Sequence, residues 1–330
     1  MLLKNNWIKT NFLYRRKDLY TPFRAVLDFR YLDTSISYED AISLAVNDIK
    51  DYDLYLGLSG GADSEYVARV LLQHGVPFTP LISVSELNLE EAKHAYDFCK
   101  QYSLPLKTFK VDKEQHIKNF ATVLKDLRGT GLADSIIFPL HAYVKERNGT
   151  YITGAASIAG NEDSNGHWTN FGLWEHTFYS DFYQNDKFEI PFLFYSPEIV
   201  YQTLLKVIEI NQGQRTSKIK TSIYRTPWRR KYLHKALLYS NEIRRLKAMY
   251  NPPDKVELGK FISLEDILDA FSKKSRIYFK GEDTMTVITE EDGKELCTNC
   301  GHSCHCDTVT CVSCEHNTNE DPVCVACYHG

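Results

Sequence analysis

The 330-residue chain has no uninterrupted apolar run near the roughly 20 residues that a membrane helix needs. Its opening residues, MLLKNNWIKTNF, lack the longer apolar stretch and small-residue cleavage site of a secretion signal. No internal repeat and no low-complexity tract is present. Cysteine is missing before Cys297 except for Cys99. Acids are nearly absent from Gln214 to Lys247, where only Glu242 stands against 11 Lys and Arg. Bases are nearly absent from Gly281 to Gly330, where only Lys294 stands against 10 Asp and Glu. The first two absences lead to the expectation of a soluble, cytoplasmic protein with no membrane partner. The charge scarcities make the formal net charge of -4 a poor description of the surface.

What is present is globular. The chain is 43% hydrophobic and 25% charged, enough apolar material for one large domain or two ordinary ones. Residues 1–50 read as an amino-terminal segment ending in a helix from about Tyr38 to Lys50, with Ser37 and Asp40 at capping-box spacing. An alternation then begins. Strands are predicted at Asp53–Leu58, Phe78–Val84, Leu106–Val111 and Tyr151–Thr153. Helices are predicted at Asp63–His74, Asn88–Tyr102, Lys113–Leu127 and Asp134–Arg147, the last with Pro139 as a break point. Strands alternating with helices of this length imply an α/β fold, a parallel sheet flanked by helices. Gly160–Asn185 reads as a long loop or lid. Helices resume at Pro197–Ile210 and Pro227–Tyr239, each with Ser or Thr before a proline at the first helical position, and at Ser263–Phe271. Arg276–Lys280 and Met285–Thr289 are predicted to pair as a hairpin.

The sharpest local signal is Ser59-Gly60-Gly61-Ala62-Asp63-Ser64, between a predicted strand and a predicted helix. Adjacent glycines let the backbone turn tightly and approach a ligand. The helix amino terminus that follows offers amides and a positive dipole end, which suit phosphate. Asp63 beside a phosphate calls for a divalent cation or a capping role. The Gly-Lys-Ser/Thr ending of the kinase phosphate loop and the spaced glycines of the dinucleotide fold are both missing.

SGGADS resembles the SGG-x-DS signature of the PP-loop ATP pyrophosphatases, over about residues 50–240. The resemblance implies an adenine nucleotide alpha hydrolase-like fold and cleavage of ATP between its alpha and beta phosphates. An acceptor oxygen would be adenylated, pyrophosphate released, and AMP displaced by a nitrogen or sulfur nucleophile. By resemblance, Ser59, Gly60, Gly61 and Ser64 would hold the pyrophosphate portion, and Asp63 would help bind Mg²⁺. Ser83 and Val84 would flank the adenine, and Tyr151-Ile-Thr-Gly154 is similar to the strand-plus-TG element that closes the site.

Two branches of the family are similar further on. Phe188–Leu205 followed by Pro227–Leu238 resembles the carboxy-terminal half of asparagine synthetases, where Lys231 would contact the phosphates of ATP. Phe188–Leu205 is also similar to a segment of phosphoadenylyl-sulfate reductases. Residue 2 is Leu2, so no amino-terminal cysteine of the glutaminase type is present, and ammonia would be free or come from a partner. Cys99 is the one cysteine of the nucleotide-binding part, which argues against thiolation chemistry. The ending Cys327-Tyr-His-Gly is an imperfect echo of the reductases' Cys-Gly-x-His.

The cation-rich stretch 214–247 interleaves Arg215, Lys218, Lys220, Arg225, Arg229, Arg230, Lys231 and Lys235 with Tyr224, Trp228, Tyr232 and His234. That mixture suits RNA or DNA, nucleotide phosphates, or a solvated helix face. Arg229, Arg230 and Lys231 are consecutive and cannot all face one pocket from a helix.

The eight remaining cysteines, Cys297, Cys300, Cys304, Cys306, Cys311, Cys314, Cys324 and Cys327, form four close pairs. They match about two tetrahedral Zn²⁺ sites of four thiolates each, with His302, His305, His316 and His329 as alternative ligands. So short a module depends on metal for its folding energy. Its acidity would repel nucleic acid and favours a stabilising or protein-docking role. Two such sites would take the formal charge to about -8.

The resulting division is an amino-terminal segment at 1–50, an ATP-binding catalytic domain at 51–250, a linker at 251–290 and a zinc module at 291–330. The function expected is an ATP-dependent ligase or transferase that adenylates an acceptor and forms a C–N bond. The alternatives are a tRNA- or DNA-modifying relative, a sulfonucleotide reductase-like protein, and a non-catalytic nucleotide-binding protein that docks partners through zinc.

Overall fold

Short strands and helices of about ten residues or more recur because apolar side chains return at two spacings, two for strands and three to four for helices. The computed structural model describes residues 8–10, 25–86, 88–126, 132–154, 170–171, 189–210, 224, 245–246, 249, 262–274 and 276–279. Strands β1 (Ile8–Thr10) and β2 (Ala25–Asp28) come first, then helix α1 (Tyr38–Ile49). The Ser37 hydroxyl caps α1, accepting from the Asp40 amide at 3.1 Å and donating to the Asp40 carboxylate at 2.6 Å. Tyr38, Ala41, Ile42, Ala45, Val46 and Ile49 make its buried stripe.

The predicted alternation follows, with ends shifted by a residue or two. It runs β3 (Leu54–Gly57), α2 (Ala62–Gln73), β4 (Thr79–Val84), α3 (Leu89–Gln101), β5 (Lys107–Lys110), α4 (Lys113–Asp126), α5 (Leu132–Glu146) and β6 (Thr150–Thr153). Next come β7 (Asn170–Phe171), β8 (Glu189–Pro191), a single 3-10 turn at Phe192–Phe194, and α6 (Pro197–Ile210). Strand β9 (Ile262–Ser263), helix α7 (Leu264–Ser272) and strand β10 (Arg276–Phe279) close the described part.

Five strands form one sheet in the order β5-β4-β3-β6-β8, and every neighbouring pair is parallel. Alternation along the strands separates two cores. Leu54, Leu56, Ile82, Ile152 and Ile190 face the larger one, with α1, α2, α3 and α6. Tyr55, Leu81 and Tyr151 face the smaller one, with Leu140 and Val144 of α5. Pro139 lies inside α5, which continues through it, so the predicted break does not occur. The neighbouring Leu140 and Val144 are buried, and that packing holds the turn despite the missing amide.

Helices α2, α3 and α5 end alike. The second residue past each helix is left-handed: Gly75 at φ +66°, Ser103 at φ 53° and Asn148 at φ 52°. Paired end bonds close each turn, for example Val76 to Leu71 at 3.0 Å and Gly75 to Leu72 at 3.1 Å.

The amino-terminal segment contains more than the predicted helix. Strand β2 pairs antiparallel with β1 and with β10, matching Ile8 to Leu27 and Ile277 to Leu27. The first strand of the predicted hairpin therefore pairs with β2, and its expected partner 285–289 lies outside the described residues. Phe271 of α7 packs edge-on against Phe29 at 4.7 Å and Tyr201 at 5.1 Å, within the larger core. Within the stretch expected as a loop, Asn170–Phe171 pairs antiparallel with β9. The expected helix at 227–239 and the cysteine module lie outside the described residues. Among the described residues, no helix is long and apolar enough to cross a membrane.

Candidate functional site

Strand β3 begins the sheet at its centre. Successive crossovers carry the chain through β4 to β5 on one side, then through β6 to β8 on the other. This reversal between β3 and β6 opens a crevice beyond their carboxyl ends, the usual ligand position in open α/β sheets. Two loops leave the sheet there, one after Gly57 and one after Thr153.

The first loop is Ser59–Gly61, leading into α2. Gly60 sits at φ +83°, and a Cβ there would collide with the Glu91 carbonyl of α3. Only glycine fits, for backbone conformation and for room. The Ser64 hydroxyl donates to the Gly61 carbonyl at 3.1 Å and accepts from the Ser59 amide at 3.2 Å. The Ser59 hydroxyl lies 3.1 Å from that of Ser64 and accepts from the Gly61 amide at 3.3 Å. These bonds make the loop a closed ring, with Ser64 buried and Ser59 exposed. Among the described residues no side chain caps α2 at Gly61, and the first amides of a helix have no acceptor within it.

The second loop begins at Gly154. A Cβ on Gly154 would lie 2.7 Å from the Ser64 amide nitrogen and 2.8 Å from the Asp63 carbonyl carbon. The two backbones are therefore in close contact, and the structure brings Gly154 together with Ser59, Gly60, Gly61, Asp63 and Ser64. Ser83 and Val84 end the adjacent strand β4. Asn88 ties that end down, donating to the Ser83 carbonyl and accepting from the Ser85 amide, each at 2.8 Å. The Ser83 hydroxyl is buried with no hydrogen-bond partner among the described residues. Val84 is half-buried, and its carbonyl accepts from the Val111 amide at 2.9 Å. Lys231 and the eight cysteines Cys297–Cys327 lie outside the described residues.

A solved structure of NMN synthetase from Francisella tularensis aligns with 64% of this chain and 96% of its own, at 18% identity and a TM-score of 0.34. No protein-family model and no curated protein matches the chain.

From the sequence, Tyr224 stands in a stretch suited to nucleic acid, nucleotide phosphates or a solvated helix face; in the structure Tyr224 is buried. Its ring stacks on Tyr66 of α2, with centroids 4.5 Å apart and planes at 19°. Its phenol donates to the Asp63 carboxylate; burial first, then that carboxylate's charge, push its pKa well above 10. The Tyr66 hydroxyl is 2.9 Å from that of Tyr38 on α1. Sequence reasoning missed this tyrosine group. One half was legible, since Asp63 and Tyr66 are three residues apart and share a helix face; the join to Tyr38 and Tyr224 is tertiary.

Two other polar groups are bystanders to this crevice. Burial pushes the Cys99 thiol up to about 11, so it stays protonated. His141 of α5 stands edge-on to Tyr151 at 4.5 Å and 3.9 Å from the Glu189 carboxylate, on the smaller-core face. Burial pulls its pKa down to about 3.

Proposed function

We propose that the chain is an ATP-dependent enzyme of PP-loop type that adenylates an acceptor and forms a C–N bond. One observation carries this reading: the Ser59–Ser64 ring at the sheet's reversal point, with Gly154 pressed against the first turn of α2. Its residues fit a polyphosphate. The backbone at Gly60 and Gly61 has no side chain to hold a ligand off, and the opening of α2 favours negative charge. Ser59 keeps its hydroxyl at the exposed rim of the ring. Asp63 would hold Mg²⁺, which would offset the charge that builds on departing pyrophosphate.

On this reading the ring orients the beta and gamma phosphates, and Ser83 and Val84 would flank the adenine. An acceptor oxygen attacks the alpha phosphorus, the alpha–beta bridge breaks, and pyrophosphate leaves. A nitrogen nucleophile then displaces AMP. Lys231 would add a phosphate contact. Purified protein should release pyrophosphate and AMP in equal amounts from ATP once its acceptor is supplied. Asp63→Ala should reduce this about a hundredfold or more. An Asp63→Ala protein with full turnover would refute the assignment.

The eight terminal cysteines would hold about two Zn²⁺ per chain in a module that stabilises the enzyme or docks a protein. Elemental analysis of protein purified without chelator tests this, and zinc-free protein would exclude it.

A further inference from the structure

A run of contacts joins α1 to the first turn of α2 through three tyrosines. Lys206 of α6 sits 4.2 Å above the Tyr38 ring and pairs with Glu39 at 3.0 Å. The Tyr38 hydroxyl meets that of Tyr66 at 2.9 Å. The Tyr66 ring backs the Tyr224 ring, and Tyr224 ends the run by donating to Asp63. Tyr38 and Tyr224 are only 4% and 5% exposed, so water contributes little to holding either hydroxyl.

Packing alone does not require this arrangement. A buried phenol needs one partner, and a backbone carbonyl would serve. Here the partner is the carboxylate of Asp63, in the first turn of α2 just after the glycine ring. A carboxylate has about four acceptor positions, and one fixed donor selects which way the group turns. A donor to an ionised group is also among the stronger hydrogen bonds.

We propose that Tyr224 is a positioning residue for Asp63: its hydroxyl orients the carboxylate toward the Mg²⁺–nucleotide, and the Tyr66–Tyr38 pair holds Tyr224 in place. This rests on the PP-loop reading above. It carries a consequence for the cation-rich stretch 214–247, which contains Tyr224. At that residue the chain packs against the first two turns of α2, beside the proposed nucleotide loop.

The test is Tyr224→Phe in the full chain, which keeps the ring stacked on Tyr66 and deletes only the hydroxyl. ATP binding is measured calorimetrically with Mg²⁺ and again in EDTA. The expected result is an affinity for Mg²⁺–ATP lowered about tenfold or more, with metal-free ATP binding unchanged. Asp63→Asn should show the same selective loss, and the double variant should lose little more than Asp63→Asn alone. Tyr195→Phe, which removes a hydroxyl from Asp48 at 3.2 Å, is the control and should bind as the parent does.

Wild-type affinity in Tyr224→Phe, with loss in Asp63→Asn, would overturn the positioning role and leave the PP-loop reading intact. Equal loss with and without Mg²⁺ would mark Tyr224 as merely structural and also overturn the role. A parent protein that binds no ATP would overturn both. If Tyr224→Phe does not fold, Tyr66→Phe replaces it. That variant keeps the stack and cuts the Tyr38 bond; a smaller Mg²⁺-selective loss supports the role, and none overturns it.

Discussion

Gly60 and Gly61 are neighbours with opposite tolerances. Gly60 is left-handed and pressed on the Glu91 carbonyl, whereas Gly61 is extended, and a Cβ there would meet only the Ser59 hydroxyl at 3.3 Å. Gly60→Ala should therefore cost at least about 2–4 kcal/mol in urea unfolding. Gly61→Ala should fold within about 1 kcal/mol of the parent yet bind ATP poorly, because the added methyl occupies the face a phosphate would approach. Similar unfolding costs for the two would contradict this geometry. His141 gives a pH prediction. Its folded pKa, about 3, is depressed from 6.5, so the unfolded chain takes up the proton first as pH falls. Stability is present above about pH 6.5 and falls below it, by up to about 1.4 kcal/mol per pH unit from this group. His116, also depressed by burial, acts in the same direction. Urea midpoints between pH 7 and 5 should fall less steeply in His141→Gln than in the parent.

At the scale of elements, three helix endings reuse one motif with different residues. Gly75 has open space around its missing Cβ, so its φ of +66° is the sole reason glycine suits it. Gly75→Ala should destabilise by about 1–2 kcal/mol. Ser103 bears the same conformational cost at φ 53°. Ser103→Gly should gain about 0.5–1 kcal/mol, less than the conformational cost because glycine loses more chain entropy on folding. Thermal denaturation of both variants checks the pair of signs. These endings explain why the alternation from α1 to β6 was readable: cap, apolar stripe and stop are all local. Pro139 misled for the converse reason, since the packing of Leu140 and Val144 outweighs a local breaker.

Across the whole molecule, the beginning and the end of the described chain meet. Strand β2 pairs with β10, and Phe29 and Tyr201 enclose Phe271. Phe271→Ala should lower stability by about 3–5 kcal/mol, because a fully buried ring leaves a cavity between α7 and the larger core. Urea unfolding should show this as a lower midpoint in one cooperative transition. A change under about 1 kcal/mol would mean that α7 adds little to the core. Closure through long-range contacts also explains why residues 1–50 read from sequence as a lead-in to one helix. Strands β1 and β2 are three and four residues long, too short for a clear alternation.

The amino-acid sequence by itself determined the order of elements from α1 to β6, helix α6, the parallel α/β class and the glycine string at the end of β3. Each follows from local forces: side-chain spacing, caps and backbone freedom. Tertiary structure alone decided that Gly154 lies against Asp63 and Ser64, that β10 joins β2, and that Tyr224 is buried on Tyr66 with its hydroxyl on Asp63. Those contacts join residues roughly 90 to 250 positions apart, and local preference says nothing about such pairs; burial and hydrogen-bond satisfaction select them only once the sheet has formed.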